Sequence, residues 1–419
     1  MELDRNHIVN YVERFLNNIF IQRIRVGICN GEYVINEVYK MNIYEFWSKK
    51  DEDLLNDFNE HTFGNDVIGT IFFFLSGYWE FTHQSKLDNY GRFMGKDSFA
   101  FKKGIIDEPV VDILVDRISK KMALTYKLKY NRNNVFLTHD IDFLGMFRNK
   151  RIYKSICGDI IRRKDIKAVL SKFSKIINKE DPHAVEKLIE INKKYNAKGT
   201  FFFMPGIQPH KTQGGYDLVK SSKELNNLKF KISKNGGSVG IHYDSRYLVE
   251  DRMISDVNKL SYVFNERVNH GRAHYLVFNI TKSFDIFEKN GIKLDSSAGY
   301  ADVIGFRFGT SYPFRPYNFE ENREYNIIEV PLIVMDTTLK SENYMNLSPN
   351  ESLEIIKKMI YKTNKYHGVF TILWHNTSFF SNGWDKWEWV YEEMLNYLNY
   401  RKNTFLSADE IIMNEKSEK

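Results

Sequence analysis

Cysteine is nearly absent: Cys29 and Cys157 are the only two in 419 residues, far apart and without the spacing of a metal site. Such usage suits a reducing compartment and predicts two buried thiols. Long hydrophobic runs are lacking as well. The most apolar window, "VIGTIFFFLSGYW", falls short of the roughly 20 residues a membrane span needs, so no transmembrane segment is expected. The first residues, "MELDRNHIVNYVERFLNN", carry acids and no unbroken apolar core, which argues against a signal peptide and for a cytoplasmic location. Charge of one sign is missing too. Sixty basic residues stand interspersed with 54 acidic ones for a net +6, so a nucleic-acid groove is not expected. Basic runs such as "RNKRIYK", Arg148 to Lys154, read as solvated helix faces. No repeat of solenoid period and no low-complexity linker interrupts the chain.

What is present is 42% hydrophobic and 15% aromatic content, ample for burial, over a length that calls for more than one core. Residues 1–130 read as a small N-terminal accessory domain, α/β or α+β, with helical patterns over Ile8 to Phe20 and Asp66 to Glu80. Its "SGYWE" and "DNYGRF" read as packing and turn geometry. Over 131–419 the pattern changes to strands alternating with helices. Candidate strands are 134–138, 199–204, 238–242, 273–275, 293–296, 327–333 and 369–374. Seven such runs predict a parallel sheet closed into a distorted seven-stranded (β/α) barrel. Ser348 and Glu351, at capping-box spacing around Pro349, mark the start of one of its helices.

In such barrels the chemistry gathers at the C-terminal ends of strands. There the sequence places His139, Asp140 and Asp142 on the first run, His242 on the third, Arg272 and His274 on the fourth, Asp295 on the fifth and His375 on the last. One such histidine is more often a satisfied core residue; the convergence of several points to a site. The paired carboxylates could divide the labour, one binding a metal and the other acting as a base.

The strings "LTHDID", "KGTFFFMPG", "GIHYDS", "GRAHYL", "LDSS" and "TILWHN" occur in the order of the five motifs of polysaccharide deacetylases. The chain resembles that family, the NodB-homology fold or carbohydrate esterase family four, over roughly residues 133 to 410. "GYADVIGFRFGTSYPF" and "YMNLSP" are similar to a bacterial subgroup with an extra N-terminal domain and a link to surface-polysaccharide biosynthesis. The resemblance implies Asp140 as general base, Asp142 and His242 as metal ligands, Arg272 orienting the base, Asp295 tuning the acid and His375 as that acid. It also implies a divalent metal, zinc by preference, which makes hydroxide available near neutral pH.

One position departs from the family pattern. The second histidine of the metal motif should stand four residues after His242, where this chain has Arg246, and a guanidinium offers no lone pair to a metal. His274 is the best replacement as third ligand, ahead of Asp244 and His139. The aromatics Tyr243, Tyr275, Tyr300 and Trp374, with Tyr312 and Phe314, are candidates for a sugar-stacking platform. His270 is expected in a loop, and His210 is expected to line the groove or lie exposed.

The function expected is a metal-dependent deacetylase acting on an N-acetylated sugar. A nucleotide sugar or a lipid-linked glycan is the expected substrate, with peripheral contact to a membrane. The alternative is a catalytically inactive barrel that binds glycan or a biosynthetic partner, and Arg246 is the feature that favours it. A third reading, a metal-free glycosidase using two carboxylates, ranks below both on geometry, because Asp140 and Asp142, two apart on a strand, share one face instead of flanking a bond.

Overall fold

A computed structural model describes residues 3–416 apart from 60, 85, 131–132, 146–150, 179–180, 182–183, 208–213, 244–249, 380–383 and 385. The N-terminal region opens with the helix Arg5–Ile19, capped by Asp4, whose carboxylate accepts the Asn6 N–H. Three short strands follow as an antiparallel meander: β1 (Val26–Cys29), β2 (Glu32–Ile35) and β3 (Tyr39–Asn42). After a short helix, Asp51–Asp57, comes the helix Val67–Leu75, all nine residues of which are buried. The helix expected over Asp66 to Glu80 is broken at Gly77, whose φ of 66° is left-handed. A Cβ there would lie 2.3 Å from Ile280 Cδ1, so the break also lets the backbone approach the C-terminal part of the chain.

After residue 131 the strands of the main sheet are β4 (Asn134–Ile141), β5 (Gly199–Phe203), β6 (Ser238–Tyr243), β7 (His270–Ala273), β8 (Leu294–Asp295), β9 (Ile328–Glu329), β10 (Val334–Met335) and β11 (Val369–Leu373); Tyr317–Asn318 and Arg323–Glu324 form a separate antiparallel pair. They pair in parallel in the order β9-β8-β7-β6-β5-β4-β11-β10, and β12 (Thr404–Phe405) joins the start of β4. Every residue of β4, β5, β6 and β11 is buried, the burial expected of a sheet covered on both faces.

The strands at the two ends of this order, β9 and β10, are four residues apart in sequence. Val330 to Ile333 can span no more than roughly 18 Å, so the sheet is curled until its edges nearly meet. Val330 N–H donates to Asp295 on one side and Ile333 N–H to Thr371 on the other. The expected distorted barrel is therefore present, with eight strands around it instead of seven. Pro331, which has no N–H to give a ladder, ends the strand expected over 327–333 after Glu329, and the next strand begins only at Val334.

One continuous apolar core extends from Leu3 through the barrel to Phe405, so the N-terminal region is packed into it. Buried polar contacts pin the same junction: Arg307 donates to both carboxylate oxygens of Glu80, at 2.5 and 3.0 Å. Thr310 and Ser311 donate to Asp112. Two expectations are corrected. Cys29 and Cys157 are both exposed, each lying outside the close-packed strands and helices of the core. His270 opens β7 and is buried, because that strand starts three residues earlier than its apolar pattern suggested. His210, Asp244 and Arg246 lie outside the described residues.

Candidate active site

The curled sheet brings the ends of β4, β6, β7, β10 and β11 together around one cleft of about 520 Å³, a volume in the range of small-ligand sites. Asp140 and Asp142, His274, Tyr275 and His375 line it. His242 stands behind them, fully buried at the end of β6.

Asp142, His242 and His274 each turn one donor atom inward, and these atoms lie within 4.8 Å of one another. Asp142 Oδ1 is 3.3 Å from His242 Nε2 and 3.7 Å from His274 Nε2. The Nδ1 of His242 is 3.0 Å from the Arg272 carbonyl, an acceptor, so Nδ1 carries the proton and a neutral ring aims its Nε2 lone pair at Asp142. Two lone pairs facing each other in a buried site call for a proton or a cation between them. The three donors match a three-ligand divalent metal site in type and number, and the carbonyl on Nδ1 is the usual outer partner of a metal-bound histidine.

Charge in the cleft follows from these contacts. Burial opposes ionisation of Asp142, yet the His274 and His242 imidazoles hold its carboxyl well below the usual carboxylate range. Burial likewise disfavours the His242 cation, and Asp140 and Asp142 outweigh it and raise its pKa. Asp140 is fixed from behind by Arg272, which is completely buried. The guanidinium donates to Thr138 Oγ1 (2.6 Å), the Ser296 carbonyl (2.7 Å) and Ser296 Oγ (2.8 Å), and it reaches Asp140 Oδ1 at 3.4 Å.

On the opposite wall, His375 is held by Asp336. His375 Nδ1 donates to Asp336 Oδ1 at 2.7 Å, which leaves Nε2 for the cleft. Burial would lower this imidazole, but the Asp336 carboxylate, with Asp142 and Asp140 beyond it, raises it to about 10. Asp295, expected to tune the acid, sits at the end of β8 instead. It accepts from the Tyr243 hydroxyl and from Ser297, and it faces Glu329 across the sheet. The carboxylate that follows β10, the neighbour of β11, is Asp336, so contact with His375 falls to it.

The expected aromatic platform is mostly core. Tyr243 and Trp374 are fully buried, the latter against Trp387 and Tyr391, and neither has a face to offer a sugar. Tyr300 is buried over the Arg307 guanidinium, and Tyr312 and Phe314 are buried too. Tyr275 alone of these lines the cleft, 39% exposed and stacked on His274 with ring centroids 4.0 Å apart. Its φ of 59° is unusual for a bulky side chain and turns it over His274. His139 is a satisfied core residue. Its Nδ1 donates to the Trp374 carbonyl, its Nε2 accepts from Asn192, and burial lowers its pKa to about 3.

Several lining residues went unread in the sequence. Lys340, at the end of the short helix Asp336–Lys340, and Tyr344 follow β10, and Trp384 follows β11. Arg92 comes from the N-terminal region; it donates to Asp88, to the Tyr275 carbonyl (3.2 Å) and to the Tyr344 hydroxyl (3.0 Å). The segment "DNYGRF", expected to serve turn geometry, thus also reaches the cleft.

Residues 4–127 match a family of unknown function, DUF7033. No curated protein matches significantly. Similar solved structures include a Mycobacterium smegmatis protein assigned as a polysaccharide deacetylase, 13% identical with a TM-score of 0.45, covering 68% of this chain and 90% of that one. Another is a CE4-family pseudoenzyme of Bacillus anthracis, at 13%, 0.34, 67% and 66% in the same order. A third is a family 4 carbohydrate esterase of Streptomyces lividans in complex with acetate, at 10%, 0.31, 52% and 83%. At these identities and TM-scores the likenesses carry no argument about chemistry, which rests on the residues described above.

Proposed function

We propose that this protein is a metal-dependent deacetylase that removes the acetyl group from an N-acetylated sugar in surface-polysaccharide assembly. The observation that carries the reading is the cluster of Asp142, His242 and His274, with the Asp140 carboxylate and the His375 imidazole facing the same cleft. A divalent ion there, zinc first, supplies Lewis-acid polarisation of the acetyl carbonyl and lowers the pKa of a water toward about 7. Asp142, His242 and His274 would hold it.

The chain's own groups do the proton work. Asp140, oriented by Arg272, takes the proton of the attacking water. His375, kept protonated by Asp336, gives its proton to the departing amine nitrogen. Tyr275 and Trp384 offer the cleft's aromatic faces to the sugar rings, and Arg92 and Lys340 offer donors to its hydroxyl or acidic groups.

The rival reading, a barrel that binds glycan without turnover, draws on Arg246 in place of the usual histidine. Acetate release separates the two. The purified protein is assayed on N-acetylated oligosaccharide, nucleotide sugar and lipid-linked sugar, beside Asp140→Asn. Release from at least one substrate, lowered about 10²-fold or more in the variant, supports the enzyme. Glycan binding with no release from any class supports the binding barrel.

A further inference from the structure

We propose that the helical hairpin spanning Arg151–Ile177 is a membrane-docking face for a bilayer rich in anionic phospholipid. The hairpin is inserted after β4. It consists of the helices Arg151–Gly158 and Ile166–Ile177, joined through a wide turn at Asp159–Arg163. It has its own small core of Ile152 and Ile156 against Val169 and Ile176, separate from the main one. A buried ion pair between Lys172 and Asp159, with Lys172 also donating to Ser155 at 2.7 Å, fixes the two helices against each other.

With that inner face satisfied, the outer face remains apolar. Ile166, Leu170, Phe173 and Ile177 recur at the spacing of one helical stripe, and Ile160 and Ile161 extend it at the turn. All six are between 47 and 78% exposed. Single exposed apolar residues are ordinary, but a contiguous stripe of long aliphatic side chains marks a surface that is covered in use.

The charge around the stripe identifies the cover. Residues 151–177 contain eight Lys or Arg and two Asp, 8 − 2 = +6, which equals the net charge of the whole chain, and setting aside the buried Lys172–Asp159 pair leaves 7 − 1 = +6. The other 392 residues therefore sum to zero. Aliphatic side chains rimmed by cations are what the boundary between anionic headgroups and acyl chains takes up. Nucleic acid would call for aromatic stacking faces, which the stripe lacks apart from Phe173.

The position gives the docking a purpose. Asp142 precedes Arg151 by nine residues, at most roughly 30 Å of chain, so a docked hairpin holds the cleft near the headgroups. There a lipid-linked sugar would be presented. This last step rests on the deacetylase reading. The docking does not, because vesicle binding is measured without turnover, so failure of one is distinguishable from failure of the other.

The test is co-sedimentation of the full chain with equimolar phosphatidylcholine–phosphatidylglycerol vesicles and with pure phosphatidylcholine vesicles. Binding to the anionic vesicles is expected to be about tenfold or more tighter. Two double variants, Ile166→Glu/Leu170→Glu and Arg162→Glu/Lys164→Glu, are each expected to lose about tenfold or more of it with an unchanged melting temperature. Absence of anionic-vesicle binding, or binding that both folded variants retain, overturns the proposal. So does a wild-type dimer in solution that the Ile166→Glu/Leu170→Glu change dissociates, since the stripe then covers a second copy.

Discussion

Asp336 grips His375 twice: its Oδ1 lies 2.7 Å from the ring Nδ1, and its Oδ2 accepts the backbone N–H of the same residue at 2.8 Å. Ring orientation, tautomer and charge are thereby set by one buried carboxylate. Asp336→Asn keeps the shape and removes the charge, so the His375 pKa falls. An acid that must be protonated loses activity as pH rises through its pKa, so the alkaline limb of the pH–rate profile moves to lower pH. We expect kcat to fall about 10²-fold or more with KM little changed. A pH–rate profile that keeps its alkaline limb in place contradicts this role.

Arg272 and Asp140 form a buried charge pair in which the arginine makes most of the hydrogen bonds. Arg272→Met leaves Asp140 as an uncompensated buried carboxylate and is expected to cost about 3–5 kcal/mol in denaturant unfolding. Arg272→Lys should recover little of it. An ammonium is a single point of charge and cannot serve Thr138, Ser296 and Asp140 with the fork's geometry. Full recovery by lysine would show that charge alone matters there.

Glu329 faces Asp295 in register across two parallel strands, and both are fully buried. Burial pushes both carboxyls up, Glu329 furthest, because a neighbouring carboxylate adds to the cost of its charge. A raised folded pKa contributes stability that is present at low pH and lost as pH rises from the ordinary Glu value of about 4.3 through the folded value. Glu329→Gln keeps a neutral group of the same shape. It should match wild type at pH 5 and melt higher at pH 8, whereas a lower melting temperature at both would show that the ionised form is the one the fold requires.

Buried neutral histidine gives the opposite slope. His139 is lowered to about 3 by burial, against about 6.5 unfolded. Its contribution is present above the unfolded value and is lost as pH falls from about 6.5 toward 3, by up to about 1.4 kcal/mol per pH unit. His270, lowered to about 4 by burial, adds to this loss, while Asp66 and Asp112, each raised to about 7 by burial, oppose it. The comparison is therefore wild type against His139→Gln, whose stability difference should shrink on acidification from pH 7 to 4. A constant difference would mean that the ring is already charged in the fold.

Most of the site was legible because each strand end combines a short apolar run with the polar residue that follows it. Asp140, Asp142, His242 and His375 were read in this way, and the structure gathers them with His274 around one cleft. Asp336 escaped because "IIEVPLIVMD" reads as one apolar run ending before it; Pro331 within the run was the signal that it is two strands. Arg92 escaped for a different reason. Its partner Tyr275 is 183 residues away, and no local pattern encodes such a contact. Tyr243 could have been set aside from alternation alone, since consecutive strand residues point to opposite faces and His242 already takes the one toward the site. Trp374 carried no such signal, because a large aromatic at a strand end fits a core and a sugar platform equally well.

The central claim, that Asp142, His242 and His274 together hold a divalent ion, is tested most directly by elemental analysis of the purified protein beside Asp142→Ala, His242→Ala and His274→Ala. The account predicts near one equivalent of zinc or a similar ion in wild type, removable by a chelator, and its loss from all three folded variants. No bound metal after the ion has been supplied in excess, or full occupancy in His274→Ala, would contradict it.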